Sequence, residues 1–287
     1  MLDRASSPAA VARAAEPPGG DGDPLYVDTH CHLSSLEGLD PAAVVERAVQ
    51  AGVELMVDVG VDLASSAECL ATASRCRQVH AAVGIHPHNA IEATDHVLRH
   101  LRRMAGHPGV VAIGETGLDY FRDHSPRVRQ RESFIEHARI AKELDKALVV
   151  HARDAHDDAL SLLDEEGPPA RTVMHCFSGG ALVAKACAER GLYVSFAGNV
   201  TFTNAPALRE AAAAVPLELL VTETDSPYLS PHPLRGQPNE PARVVLVAEA
   251  LARVHGVAVE ELAAATRTNA RRLFALGDSD EREPGAA

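Results

Sequence analysis

The segment Tyr26-Val27-Asp28-Thr29-His30-Cys31-His32 begins with aromatic and β-branched residues and ends in two histidines two positions apart. This composition predicts a β-strand. Because residues i and i+2 of a strand point to the same side, the two imidazoles are expected to project together, with Cys31 turned away between them. Neighbouring neutral imidazoles are a common beginning of a metal site. Two unrelated histidines would give the same short motif, so the interpretation depends on further ligands elsewhere in the chain.

Seven further runs of strand type follow this segment, with helical patterns between most of them. The predicted strands are residues 55–60, 79–85, 110–114, 147–150, 172–174, 192–196 and 217–221. The predicted helices are residues 41–51, 64–76, 95–105, 126–144, 155–165, 181–189, 205–214, 242–255 and 260–274. Strands that alternate with helices predict a parallel sheet with helical crossovers. Eight repeats favour a single closed (β/α)8 TIM barrel over the alternative, a doubly wound sheet.

Polar residues at the ends of the predicted strands also favour the barrel, because barrel enzymes build their sites at the C-terminal ends of the strands. They are His30, His32, Glu115, His151, His175 and Asp225. These groups exceed what one ion takes, whereas two divalent ions roughly 3.5–4 Å apart would use them all, with one carboxylate bridging. Glu115 is the expected bridge, since its strand lies between the two groups of histidines. Each residue taken singly could be structural, so the metal interpretation rests on their joint placement.

Other residues are candidate substrate contacts at the same face. Arg153, two positions after His151, could hold an anionic oxygen by two parallel hydrogen bonds, or could form a surface ion pair with Asp157. His86 could contact substrate or only begin a loop. Candidate stacking surfaces for unpaired bases at the rim are Tyr120, Phe121 and Tyr228.

The composition is that of an ordinary soluble globular protein, with 46% hydrophobic and 23% charged residues. The net charge of -13 argues against a broad nucleic-acid-binding face, although a bound metal could create a local phosphate site. Five cysteines without regular spacing favour free thiols in a reducing compartment, and we expect a cytoplasmic protein. Cys31 and Cys176 are expected to be core thiols that point away from the site. No window is apolar enough to cross a membrane.

The chain is expected to contain one folded domain, residues 25–276, because no linker divides it. Residues 1–24 are rich in Ala, Pro, Gly and Asp, without the apolar core of a signal peptide, and predict a disordered leader. Residues 277–287 predict a flexible tail. The sequence leaves the oligomeric state open, with a monomer as the simplest expectation.

Seven motifs occur in a fixed order along the chain: DTHCHL (28–33), GIHPH (84–88), GETGLDY (114–120), HARDA (151–155), HCFSG (175–179), ETDSPYL (223–229) and NEP (239–241). On these motifs the sequence closely resembles the TatD family of metal-dependent hydrolases, in the amidohydrolase-like superfamily. The resemblance covers about residues 25 to 275 and is specific because all seven segments appear together.

The resemblance implies a TIM barrel with two divalent ions, Mg²⁺ or Mn²⁺, with Zn²⁺ as an alternative. It implies that one ion is held by His30, His32, Glu115 and Asp225, and the other by Glu115, His151 and His175. Members are described as deoxyribonucleases, some acting from the 3′ end, so the implied partner is DNA or another phosphodiester. Several relatives in the superfamily use a carbamylated lysine as the bridge, and Glu115 at this position argues against those branches.

The expected mechanism is hydrolysis by a metal-activated water. Asp225 is the candidate general base, because it can reach both a metal and that water. His86 and Arg153 would steady the phosphate.

Two other functions remain open from the sequence. The same chemistry could attack a carbonyl carbon, which would make the chain an esterase or amidase such as an aminoacyl-tRNA deacylase, and the negative charge favours this alternative. A non-catalytic metal-binding scaffold is the third interpretation, although every ligand position and the candidate base are filled.

Overall fold

A computed structural model of the chain describes residues 25–36 and 38–277. Eight parallel strands pair in sequence order and form one sheet, which curls into a nearly closed barrel with helices between the strands. The predicted TIM barrel is therefore confirmed. The predicted leader and all but the first residue of the predicted tail lie outside the described residues.

The observed helices and strands follow the predicted order, and most of their bounds lie close to the predicted ones. The strands are β1 (Tyr26–Cys31), β2 (Val53–Val59), β3 (Val79–Val83), β4 (Val110–Asp119), β5 (Ala147–Arg153), β6 (Thr172–Met174), β7 (Tyr193–Phe196) and β8 (Leu220–Thr222). The helices are α1 (Pro41–Gln50), α2 (Leu63–Arg75), α3 (Asp95–Ala105), α4 (Arg127–Glu143), α5 (His156–Glu166), α6 (Ala181–Glu189), α7 (Pro206–Ala213), α8 (Val244–His255) and α9 (Val259–Leu273).

Two strands differ from the prediction for identifiable reasons. β4 continues past Gly114 because its second half pairs with the end of β5, after a register shift between Ile113 and Thr116. Glu115 therefore lies inside a long strand and not just beyond a short one. β8 is shorter, because the side-chain amide of Asn269 donates to the carbonyls of Leu217 and Leu220 and residues 217–219 form a 3₁₀ turn.

The strands place apolar and polar residues on the inner face of the barrel by simple alternation. Val149 and Val173 belong to the apolar cluster inside the barrel. His151 follows Val149 by two positions, and His175 follows Val173 by two positions. Residues two apart share a face, so the same pattern that fills the barrel with valine turns an imidazole to the inside at the strand end. Helix α9 packs against this interior cluster through Phe274 and its neighbours.

Side chains and loop backbone join β8 to β1 and so bring the first and last strands together. The hydroxyl of Thr29 donates to the carbonyl of Thr222, at 3.0 Å, and the Thr222 hydroxyl donates to the carbonyl of Val27, at 2.9 Å. Just beyond β8, the Asp225 amide donates to the carbonyl of His30, at 2.9 Å. These hydrogen bonds place Asp225 directly beside the histidines at the end of β1.

None of the described helices has the length and hydrophobicity needed to span a membrane. All five cysteines are free thiols in the structure.

Candidate metal centre

The two histidines at the end of β1 project together, as the alternation predicts. Their Nε2 atoms lie 3.2 Å apart. Cys31 points the other way and is fully buried, with its thiol 3.3 Å from the carbonyl of Val57. His30 is completely buried and stacks on His175, with ring centroids 3.9 Å apart. The first and sixth strands therefore meet at one point inside the barrel mouth.

Glu115 lies at the centre of the cluster, and its two oxygens face different histidines. Oε1 is 3.5 Å from Nε2 of His32 and 3.9 Å from Nε2 of His30. Oε2 is 2.8 Å from Nε2 of His175 and 3.4 Å from Nδ1 of His151. We call His30, His32 and Asp225 the first donor group, and His151 and His175 the second donor group. A carboxylate that faces two donor groups has the arrangement required of a bridge between two ions.

Asp225 completes the first donor group. Its Oδ1 lies 3.6 Å from Nε2 of His32 and 3.9 Å from Nε2 of His30. Its side chain is 14% exposed, compared with 5% for Glu115. The Asp225 carboxylate is therefore the more solvent-accessible of the two carboxylates, while the His151 side chain is 18% exposed.

The hydrogen bonds of the rings decide which nitrogen of each histidine can bind a metal. Nδ1 of His32 lies 2.7 Å from the main-chain carbonyl of Val59, which can only accept, so this nitrogen carries a proton and Nε2 is the nitrogen that a metal could bind in place of a proton. His86 has the opposite arrangement. Its Nδ1 accepts from the amide of His88 at 3.0 Å, so Nε2 carries the proton and faces Oε2 of Glu115 at 3.9 Å. His86 is thus placed as a hydrogen-bond donor at the edge of the cluster.

The charges of the cluster are strongly coupled. Burial alone disfavours a charged imidazole, but Asp225 and Glu115 outweigh it and raise the pKa of His32 to about 9. Burial also opposes the ionised form of Glu115, yet the surrounding histidines hold the pKa of this carboxyl well below its usual range. His86 is affected most by burial, which lowers its pKa to about 3 and keeps it neutral. Ionised carboxylates enclosed by imidazoles form a site that attracts cations.

The donors fit divalent ions by spacing as well as by charge. Donor atoms about 2.0–2.1 Å from one ion lie roughly 3–3.5 Å from each other. Within the described residues, three sets of donors have atoms that all lie within 4.8 Å of one another. They are His30–His175–Asp225, His30–His32–Glu115 and His86–Glu115–His151. Among the described residues, the buried Nδ1 of His30 has no hydrogen-bond partner, so no hydrogen bond found there fixes which nitrogen of this ring carries the proton.

The other predicted substrate contacts lie at the rim. Arg153 is exposed and places its guanidinium over the Phe121 ring, 4.3 Å from the centroid, and makes no ion pair with Asp157 in the described chain. Phe121 is 55% exposed and Tyr228 is 57% exposed. Tyr120 is placed differently from the other two aromatic residues, because it is half-buried and its hydroxyl donates to Asp158, at 2.8 Å. Tyr228 therefore offers an exposed ring, Phe121 offers the ring face that Arg153 does not cover, and the hydroxyl of Tyr120 is engaged by Asp158.

The orientation predicted for Cys176 is wrong. Cys176 has φ +44°, a left-handed conformation that strict strand alternation does not allow for, and its thiol contacts Asp225. Burial, followed by the charge of Asp225, raises the pKa of this thiol well above its usual value. β6 ends at Met174, so the alternation that places His175 no longer governs the next residue.

Two buried carboxylates beside the cluster were missed by the sequence reasoning. Glu223 lies next to His175, and Asp119 lies next to His151 and His88. A signal for Glu223 was present, because it follows the inward-facing Val221 by two positions. Asp119 ends the longer β4, which the apolar pattern did not reveal.

Comparison with known proteins identifies relatives over the whole barrel. A family model described as "TatD related DNase" matches residues 27–275. "Uncharacterized metal-dependent hydrolase YabD" of Bacillus subtilis is 41% identical over 254 residues, covering 88% of this chain and 100% of the relative. "3'-5' ssDNA/RNA exonuclease TatD" of Citrobacter rodentium is 38% identical over 245 residues, covering 83% and 92%. The crystal structure of YJJV, a TatD homologue from Escherichia coli, superposes with a TM-score of 0.83 at 31% identity, covering 88% of this chain and 98% of that one.

Proposed function

Because this chain belongs to the TatD family of metal-dependent hydrolases, we propose that it is a deoxyribonuclease of the 3′–5′ exonuclease type that cleaves phosphodiester bonds. The observation that carries the proposal is the position of Glu115 between the two donor groups. Its Oε1 faces the first donor group, and its Oε2 faces the second. Two donor groups that share a carboxylate suit the two-ion chemistry by which many enzymes cleave phosphate esters.

The proposed ligands of one ion are the first donor group and Glu115, and those of the other are Glu115 and the second donor group. Mg²⁺ and Mn²⁺ are the proposed ions, with Zn²⁺ as an alternative. Four imidazoles among six ligands suit Mn²⁺ or Zn²⁺ better than Mg²⁺, which prefers oxygen. When bound, the ions would supply positive charge to the scissile phosphate and lower the pKa of a water molecule toward neutrality.

Asp225 is the proposed general base, and it takes the proton from the attacking water. Its Oδ1 faces the two histidines of the first donor group, and its carboxylate is more exposed to solvent than that of Glu115. The hydrogen bond from its amide to the carbonyl of His30 holds the backbone in place, so the carboxylate is oriented before substrate arrives.

His86 and Arg153 are the proposed contacts to the phosphate. The Nε2–H of His86 points into the cluster from the neutral ring and can donate to a phosphate oxygen as charge develops there. Arg153 is free of acidic partners within the described residues and lies on the Phe121 ring, so it can bind a neighbouring phosphate.

Single-stranded DNA is the proposed substrate because the rim offers stacking surfaces and no broad basic face. Phe121 and Tyr228 present exposed rings to unpaired bases, with Tyr120 as the support of that rim. The ring of Tyr228 lies 6.2 Å from that of His32, so a base stacked there would be next to the first donor group. The relative from Citrobacter rodentium carries the name of a 3′–5′ exonuclease. With a net charge of -13, long nucleic acid would be repelled, which favours engagement of a single end.

A substrate panel tests the proposal. Purified protein would be stripped of metal, reconstituted with Mg²⁺, Mn²⁺ or Zn²⁺, and assayed on 3′-tailed DNA, RNA, aminoacyl-tRNA and a simple phosphodiester at matched ionic strength. We expect stepwise loss of nucleotides from the 3′ end of DNA, no activity in chelator, and recovery on adding metal. Faster hydrolysis of aminoacyl-tRNA than of any phosphodiester would select the esterase alternative. Activity that survives complete removal of metal would refute both.

A further inference from the structure

Two carboxylates that are not among the proposed ligands lie behind the second donor group. Glu223 is fully buried and Asp119 is 1% exposed. We propose that both are positioning residues, each of which fixes one imidazole of the second donor group in the tautomer that turns a free nitrogen toward Glu115. The inference rests on the proposed metal site and explains how its second half is preorganised.

Glu223 contacts the far side of His175. Its Oε1 lies 3.4 Å from Nδ1 of His175, and neither of these buried atoms has a hydrogen-bond partner among the described residues, so a proton on Nδ1 would serve both. The other oxygen, Oε2, accepts a short hydrogen bond from the hydroxyl of Ser195. Ser195 in turn accepts from the amide of Cys176 at 3.1 Å. The carboxylate is therefore anchored at Oε2, which leaves Oε1 facing the His175 ring.

Asp119 has the same relation to His151. Its Oδ2 lies 3.4 Å from Nε2 of His151 and 2.9 Å from Nε2 of His88. Its Oδ1 accepts from the amides of Phe121 and Arg122, at 3.0 and 2.7 Å. A proton on Nε2 of His151 satisfies Asp119 and leaves the lone pair on Nδ1, which is the nitrogen that faces Glu115. The two histidines of the second donor group thus use different nitrogens, and each carboxylate lies on the opposite side of its ring.

The first donor group lacks this support. Nδ1 of His32 bonds to a main-chain carbonyl, and Nδ1 of His30 has no hydrogen-bond partner in the part of the chain that the structure describes. A carboxylate raises the basicity of a ligand imidazole more than a carbonyl does, and loss of such a partner typically weakens metal binding about 10–100-fold. Loss of Glu223 or Asp119 is therefore expected to weaken the ion at the second donor group. The affinity of the ion at the first donor group should not change, and it serves as an internal control.

Metal titration of the full-length chain tests the inference without substrate. Stripped protein would be titrated with Zn²⁺ and with Mn²⁺ by calorimetry, for the wild type and for Glu223→Ala, Glu223→Gln and Asp119→Asn. We expect Glu223→Ala to weaken one of two ions about 10–100-fold and to leave the other unchanged, with a smaller loss for Glu223→Gln, which keeps an acceptor. The matched control is Glu54→Ala, which removes a carboxylate bound to Arg267.

The tautomer itself provides a second measurement. Ring ¹⁵N NMR of the metal-free protein, at a pH at which the His175 ring is neutral, should show its proton on Nδ1 in the wild type and a mixture of tautomers in Glu223→Ala. A variant that binds both ions like the wild type, or that weakens both equally, would overturn the positioning role. If the wild type binds fewer than two ions, the proposed function fails, while the tautomer measurement still decides the inference.

Discussion

Asp225 combines two properties that a general base near a metal needs, contact with the donors and access to water. We predict that Asp225→Asn lowers turnover about 10²–10⁴-fold, because asparagine keeps the shape but cannot accept the proton. The fold should be unaffected, since asparagine tolerates the φ of +54° found here. The measurement is the initial rate on 3′-tailed DNA together with the melting temperature.

The matched control for that prediction is Asp145→Asn. Asp145 also has a positive φ, of +49°, and is an exposed residue between α4 and β5. We expect its rate and melting temperature to match the wild type. A near-normal rate for Asp225→Asn would rule out the assignment of the base.

His137 shows how a histidine outside the site contributes to stability. Its Nδ1 donates to the carbonyl of Ser133, at 2.7 Å, and its Nε2 accepts from the amide of Ile85, at 3.0 Å. Burial lowers its pKa from 6.5 to about 4. Between about pH 4 and pH 6.5 the unfolded chain therefore binds more protons at His137 than the folded chain does. The contribution of neutral His137 to stability is full above about pH 6.5 and is lost as the pH falls through about 4.

We predict that the free energy of unfolding falls by up to about 3 kcal/mol over this pH window because of His137 alone. Urea unfolding at several pH values would measure it. His137→Gln should be less stable at neutral pH and should show a smaller fall with acid. An unchanged pH dependence in this variant would assign the effect to other groups.

Among the strands, the close packing of β4 against β5 positions His151. Gly117 has φ +138°, and a Cβ built on it would be 2.0 Å from the carbonyl oxygen of His151. We predict that Gly117→Ala separates these strand ends, destabilises the fold by about 1–3 kcal/mol and weakens metal binding by the second donor group. Chemical unfolding and metal titration would measure the two effects.

Gly180→Ala is the control for this prediction. Gly180 precedes α6 with a negative φ, and a Cβ there would meet no atom within 4 Å. We expect little change in stability or metal affinity. Equal behaviour of the two variants would show that the close packing of β4 against β5 is not what positions His151.

Across the barrel, the proposed ligands lie in β1, β4 and β5 and directly after β1, β6 and β8, so a bound ion would join parts of the chain that are far apart in sequence. We predict that metal raises the melting temperature, because a ligand that binds only the folded state stabilises it by about 2.7 kcal/mol at 100 times its dissociation constant. Calorimetric melting with Mn²⁺ and with chelator would measure the shift.

Two controls define the outcome of the melting experiment. NaCl at matched ionic strength should give no comparable shift, since it only screens charge. Glu115→Gln should reduce the shift produced by Mn²⁺, because it removes the charge shared by both donor groups. A melting temperature that does not respond to metal would contradict the ligand assignment.

A cytoplasmic location and a monomeric state remain predictions.

Local sequence patterns were sufficient to predict the barrel and the place where the proposed ligands meet. Alternating strands and helices, with polar residues at strand ends, are local patterns, and parallel strands bring their C-terminal ends to one face. Strand alternation was also enough to turn His30 and His32 to the same side. The seven ordered motifs established the family resemblance, which the comparisons confirmed.

The folded structure was needed to show which ring nitrogens face Glu115, that Glu223 and Asp119 lie beside the second donor group, and that the Tyr120 hydroxyl donates to Asp158. The reversal of Cys176 also needed the structure. These features depend on which atoms from distant strands come within hydrogen-bonding distance after the barrel closes. A periodic pattern specifies the face on which a side chain lies, whereas its ring orientation and partners follow from packing between segments that are remote in sequence.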